Sequence, residues 1–152
     1  MKTSFTANNP AFEQRVRESF GLQNAMKMIG ATLIRVMPGE VSISMPFSEK
    51  LTQQHGYIHA GIISTILDSA CGYAAFSLMA ENAAVLTIEF KINLLSPAKG
   101  ERFEAFGRVK KAGRNITVSE GEFYAYEGEN KKLVASMVGT MMAVYDREGI
   151  ED

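Results

Sequence analysis

A chain of 152 residues, 46% of them apolar, suffices for one domain with a substantial core and does not call for a second. Lys and Arg number 16 against 17 Asp and Glu, a net charge of −1, which excludes the general basic field that nucleic acid or an anionic membrane surface would need. A single cysteine, Cys71, excludes an internal disulfide, and the start Met-Lys-Thr-Ser-Phe-Thr has no apolar secretory run, so a cytoplasmic protein is expected.

In chain order, Asn8-Asn9-Pro10 predicts a helix start, with an amide to cap and a proline preset for the first turn. Phe12, Val16 and Phe20 then recur every four residues, which gives a short amphipathic helix with Glu13, Arg15, Arg17 and Glu18 on its wet side and an end at Gly21. It reads as a packing lid. A second helical turn, Asn24 to Met28, leads to Gly30. The alternation then becomes extended: Thr32 to Met37, a turn at Pro38-Gly39-Glu40, and Val41 to Met45 form a hairpin that Pro46 closes.

The stretch from Gln53 to Phe76 opens as a polar loop, His55-Gly56, and becomes at His59-Ala60-Gly61 a segment apolar on every side, with Ile62, Ile63, Ile66, Leu67, Ala70, Ala74 and Phe76. Such a helix is buried in other structure. Ile58 to Ala80 approaches the roughly 20 residues of a membrane span, but a charge at its centre, Asp68, among Ser64, Thr65, Ser69 and Ser77 points to a buried core helix. A carboxylate there is costly unless it has a partner, a shifted pKa or a chemical task.

After the helix, Val85 to Leu95 alternates, with Leu86, Ile88, Phe90, Ile92 and Leu94 on one face and Thr87, Glu89, Lys91 and Asn93 on the other. Further strands follow at Arg102 to Lys110, Ile116 to Tyr126 and Leu133 to Tyr145, separated by turns at Ser96-Pro97-Ala98-Lys99-Gly100, Lys111 to Asn115 and Glu127 to Asn130. The last strand is apolar on nearly both faces, which suggests cover on its second face, as from another subunit. The expected fold is α+β, an antiparallel sheet of about six strands wrapped around one long central helix, with an N-terminal amphipathic helix. It divides into a helical segment over 1–29, a main domain over 30–146 and a tail over 147–152.

This architecture, with His59-Ala60-Gly61, Asp68 and the Ser96-Pro97-Ala98-Lys99-Gly100 turn, resembles the hotdog-fold acyl-CoA thioesterases of the PaaI-like branch. The resemblance implies that Asp68 is the catalytic carboxylate, that Gln53 and His59 belong to the site, and that Ala60 and Gly61 stand at the two glycines following the histidine. Thr87 matches a Ser or Thr that helps position the water. It also implies an acyl-CoA substrate whose pantetheine arm enters between subunits, with Gly56 in the binding loop, no further cofactor, and a homodimer or dimer of dimers. Lys99, Lys111 and Arg114 lie in turns, where they meet the nucleotide phosphates or serve as solvated charges.

Thioester hydrolysis needs a group that activates water and donors for the oxyanion. A helix start supplies unpaired N–H groups and a positive dipole end, and Ala60 and Gly61 occupy that place. Asp68, eight residues beyond Ala60, lies about 12 Å further along the same helix, so one carbonyl cannot use both. An antiparallel helix of a second subunit would bring the two together.

The remaining candidates read more plainly. Cys71 beside Gly72 is a small core residue without a basic partner, His55 is a loop residue, and the loop glycine between the two histidines argues against a metal pair. Met137, Met141 and Met142 are core residues able to line an adaptable acyl pocket. A thioesterase is the preferred function; a hotdog hydratase or dehydratase and a non-catalytic acyl-CoA binder remain open.

Overall fold

The computed structural model describes residues 4–150; the first three residues of the Met-Lys-Thr-Ser-Phe-Thr start and the last two of the 147–152 tail lie outside it. The elements run α1 (Phe12–Leu22), α2 (Asn24–Ile29), β1 (Thr32–Met37), β2 (Glu40–Pro46), a 3-10 turn (Glu49–Leu51), α3 (Ala60–Phe76), β3 (Ala83–Leu94), β4 (Arg102–Ala112), β5 (Ile116–Glu127) and β6 (Asn130–Tyr145). The six strands make one antiparallel sheet in the order β1-β2-β4-β5-β6-β3, wrapped around α3 as in a hotdog fold.

Close approach of helix and sheet rests on two glycines. A Cβ at Gly107 would stand 2.1 Å from the Ala70 carbonyl oxygen, and one at Gly121 would stand 2.8 Å from Cys71 Sγ. The two face each other across β4 and β5, so the backbone of α3 lies almost directly on the sheet. Around this seam the inner face is filled by Phe103 stacked on Phe123 at 5.6 Å and by the buried side chains Ile43, Met45, Met137 and Met141.

The N-terminal segment covers α3 from the other side. Val16 and Phe20 are buried there, and Phe20 meets Tyr73 edge to face at 5.9 Å. Arg15, expected on the wet side of α1, is half-buried: its guanidinium lies 4.0 Å above the Phe76 ring and donates to the carbonyls of Ala80 and Ala83. The last residue of α3 supplies the aromatic face, and the loop from α3 into the start of β3 supplies the two carbonyls. Gly30 ends α2 in the left-handed region at φ 73°.

Strand β3 departs from simple alternation. Thr87 lies opposite Met141 and Phe90 opposite Gly139, leaving Ile88 as an extra residue between them. Directly opposed residues share a face, so this bulge inverts the phase: Thr87 and Phe90, expected on opposite faces, both lie on the side of α3. Lys111, expected in a turn, belongs to β4, which runs on through a second register shift at its end. β6 is covered by α3 on one face only; Val138, on the other, is 48% exposed within the chain. The sheet ends at β1 and β3, and β3 exposes Leu86, Ile88, Phe90 and Leu94.

The glycine seam has a direct test. Gly107→Ala forces α3 away from the sheet and lowers the unfolding free energy by about 3 kcal/mol in urea titration, whereas Gly21→Ala, with open space at its Cβ inside α1, gains roughly 0.5–1 kcal/mol.

Candidate active site

A short ladder delivers the start of α3. The His59 N–H donates to the Leu51 carbonyl at 2.9 Å, Thr52 bridges Ile58, and the Gln53 N–H donates to the Tyr57 carbonyl at 2.8 Å. Its tip turns at Gly56, with φ 82°, where a side chain would be strained. Gln53 Oε1 accepts from the His55 N–H at 2.6 Å, so Gln53 stiffens the loop while its amide NH2 has no partner among the described residues. The Ala98 carbonyl accepts from the Ile58 N–H at 3.1 Å. That contact is the structural use of the Ser96-Pro97-Ala98-Lys99-Gly100 turn.

His59 caps the helix. Its Nδ1 accepts from the Gly61 N–H at 2.8 Å, which leaves the neutral imidazole protonated at the exposed Nε2. A Cβ at Gly61 would come within 3.1 Å of that Nδ1, so glycine makes room for the cap. Of the two N–H groups expected to serve as oxyanion donors, Gly61's is therefore occupied by His59. The Ala60 N–H has no acceptor among the described residues. Alanine suffices there: Asp146 is the one non-glycine residue with positive φ in the described chain, so Ala60 needs no left-handed backbone.

Asp68 stands two turns further along α3, half-buried. Burial holds its pKa above the usual 3.8, and the 2.8 Å hydrogen bond from Thr87 Oγ1 to its Oδ1 pulls the other way without cancelling the rise. Thr87 serves Asp68 from beneath α3, because of the bulge, and not from an outer face as simple alternation requires.

The predicted site residues thus form two groups within the chain: Gln53, Gly56, His59, Ala60 and Gly61 at the helix start, and Asp68 with Thr87 downstream. Lys99 adjoins the first group. Lys111 and Arg114 lie at the Thr87 end of the sheet, since Ala112 pairs with Thr117, Thr117 with Met141 and Met141 with Thr87. All three cations are exposed. Burial, then the charges of Asp68 and Glu120, push the Cys71 thiol up to about 12, which leaves it un-ionised and unsuited to nucleophilic attack. A cavity of ≈ 570 Å³ lined by Phe106, Arg108, Glu120, Tyr124 and Lys131 lies across the sheet from Asp68; Met137 borders it, but none of the residues of the two groups and none of the three cations does. Two features have no sequence signal: Gln23 Oε1 accepts from Ser69 Oγ at 3.1 Å, beside Asp68, and the buried Ser119 hydroxyl has no hydrogen-bond partner among the described residues.

The family model described as "Thioesterase superfamily" matches residues 55–132, just over half of the chain, which include both groups except Gln53. The chain belongs to the thioesterase superfamily. A solved thioesterase family protein from Silicibacter pomeroyi is 51% identical, with a TM-score of 0.87 over 88% of this chain and 98% of that one. A Saccharolobus solfataricus protein whose esterase name is provisional is 32% identical over 75% of this chain and 79% of its own. The Escherichia coli protein named medium/long-chain acyl-CoA thioesterase YigI is 24% identical over 79% and 94%. The PaaI protein of the same species, 20% identical, shares the fold, with a TM-score of 0.79 over 88% and 93%. The chain is thus a thioesterase-superfamily member with the hotdog fold that the PaaI protein shares. Among the described residues no helix is long and apolar enough to cross a membrane.

The Asp68–Thr87 contact is testable without substrate. Thr87→Val removes the one interaction that lowers the Asp68 pKa, so the carboxyl resonance titrates at higher pH than in the parent by NMR. Since the folded pKa exceeds the unfolded one, ionised Asp68 detracts from stability as pH rises through the carboxylate range, and Asp68→Asn gains thermal stability over the parent in that direction.

Proposed function

We propose that the chain is an acyl-CoA thioesterase in which Asp68 activates water and the N–H at the start of α3 receives the oxyanion. The observation that carries this reading is the half-buried Asp68 with its raised proton affinity, oriented by Thr87 in an otherwise apolar helix. Burial makes the carboxylate a stronger base than a solvated one, and a single oriented hydroxyl leaves Oδ2 for water. Water attacks the thioester carbon as Asp68 takes its proton. The tetrahedral oxyanion accepts from the Ala60 N–H, with the Gln53 amide and the His59 Nε2–H as further donors at the same helix start. Collapse expels the CoA thiolate, to which the proton passes, giving free acid and CoA. The YigI name supports the acyl-CoA part of the reading.

The donors and the carboxylate are about 12 Å apart on one helix, so each site takes its donors from one copy and its carboxylate from another. The exposed apolar residues of β3, a 12-residue edge strand paired on one side to β6, favour that strand as the seam of a homodimer. Antiparallel pairing of β3 with its copy sets the two α3 helices antiparallel and generates two equal sites. Lys99 of one copy and Lys111 and Arg114 of the other then approach the same substrate from its two ends.

Release of free thiol from acyl-CoAs tests the reading. The parent protein liberates CoA, and Asp68→Asn, folded and no less stable, loses roughly 100-fold or more in kcat/KM, the range of a general base. Thiol release undiminished by Asp68→Asn removes Asp68 from the chemistry, and conversion of enoyl-CoA without thiol release shows a hydratase instead.

A further inference from the structure

One polar group beneath α3 is left without a partner. The Ser119 hydroxyl on β5 is fully buried, and among the described residues it makes no hydrogen bond, an arrangement that costs free energy unless something occupies it. Its row of the sheet is unusual as well. Ser119 lies opposite Gly139 on β6, and Gly139 opposite Phe90 on β3. Gly139 contributes no side chain, and the space above it is taken by Met141: a Cβ at Gly139 would stand 2.9 Å from Met141 Cε and 3.6 Å from its Sδ.

Met141 lies opposite Thr87, the partner of Asp68. Thr87, Met141, Gly139 and Ser119 therefore form a lane of adjoining inner-face positions, packed in this structure, from the partner of Asp68 to Ser119 two strands from β3 and about 10 Å across the sheet. The group filling it is an unbranched thioether, the side chain that changes rotamer and repacks most readily. At its far end stands the hydroxyl.

We propose, resting on the thioesterase reading above, that this lane is the acyl site. The acyl chain moves Met141 off Gly139 and brings an oxygen near its far end, a hydroxyl or carbonyl, to the Ser119 hydroxyl. Met141 sets the chain length that fits, and Ser119 favours medium-length acyl groups with a distal oxygen over plain ones.

The test compares octanoyl-CoA with its terminal-hydroxyl analogue and with hexadecanoyl-CoA, by turnover in the parent and by calorimetric binding in Asp68→Asn. The parent prefers the hydroxylated ester about tenfold, within the range for a matched buried polar pair. Ser119→Ala brings that ratio to about one, and Met141→Ala raises hexadecanoyl-CoA relative to octanoyl-CoA several-fold. Gly139→Ala, which narrows the lane without opening a cavity, disfavours octanoyl-CoA relative to acetyl-CoA and serves if Met141→Ala does not fold. A ratio that is flat in the parent or survives Ser119→Ala overturns the proposal. So does a change in thermal stability of Ser119→Ala with selectivity intact, the mark of a hydroxyl that only holds buried water. Esters bound selectively but never hydrolysed contradict the thioesterase reading and leave the lane standing; the absence of any binding overturns both.

Discussion

A carboxylate in the middle of an apolar helix, tied to the sheet by one threonine hydroxyl, is the constraint on which the rest of the site depends. Asp68 costs stability because burial disfavours its charge. The hydrogen bond from Thr87 fixes one oxygen and returns only part of that cost. What remains is a base of raised affinity in a defined orientation, which a solvated aspartate on a surface helix would not be.

The fold supplies what this contact requires. α3 lies low enough for a residue of β3 to reach it because Gly107 and Gly121 remove the side chains that would hold it off. Arg15 and the Phe20–Tyr73 pair close α1 over its other side and hold its C-terminal half in place. At the opposite end, a ladder of backbone bonds from Leu51 to His59, braced by Ala98, fixes where the helix begins. Helix start and carboxylate are thus two rigid points on one rod, and their separation is a property of the helix itself.

Much of this was legible in the sequence. The apolar run with a single charge marked α3, the breaks at Pro38-Gly39 and Ser96-Pro97 marked the turns, and His59-Ala60-Gly61 marked the helix start, because each is a local rule of burial, turn chemistry or capping. The placement of Thr87 was not legible. Ile88 is an ordinary strand residue, and nothing in its type announces that it stands outside the ladder; only the partner strand reveals the extra residue. Arg15 misled for a similar reason, since its place on α1 fits solvent exposure and its partners are carbonyls more than 60 residues away. That Ser119 finds no partner among the described residues is likewise a fact about what surrounds it. The occupation of the Gly61 N–H by His59 follows from a cap that spacing permits but does not require.

The central claim is that the start of α3 from one copy and Asp68 from another complete one site. Proline is tolerated at the first position of a helix, and His59, at ψ 139°, already has the extended backbone that precedes it. Ala60→Pro therefore removes the unpaired N–H while keeping the helix. The decisive measurement is thiol release by Ala60→Pro and Asp68→Asn chains, each alone and coexpressed. Each alone is nearly inactive, and random mixing restores about a quarter of parental activity, because half of two-fold dimers then carry one intact site of two. Mixed dimers present by mass spectrometry yet inactive would contradict it.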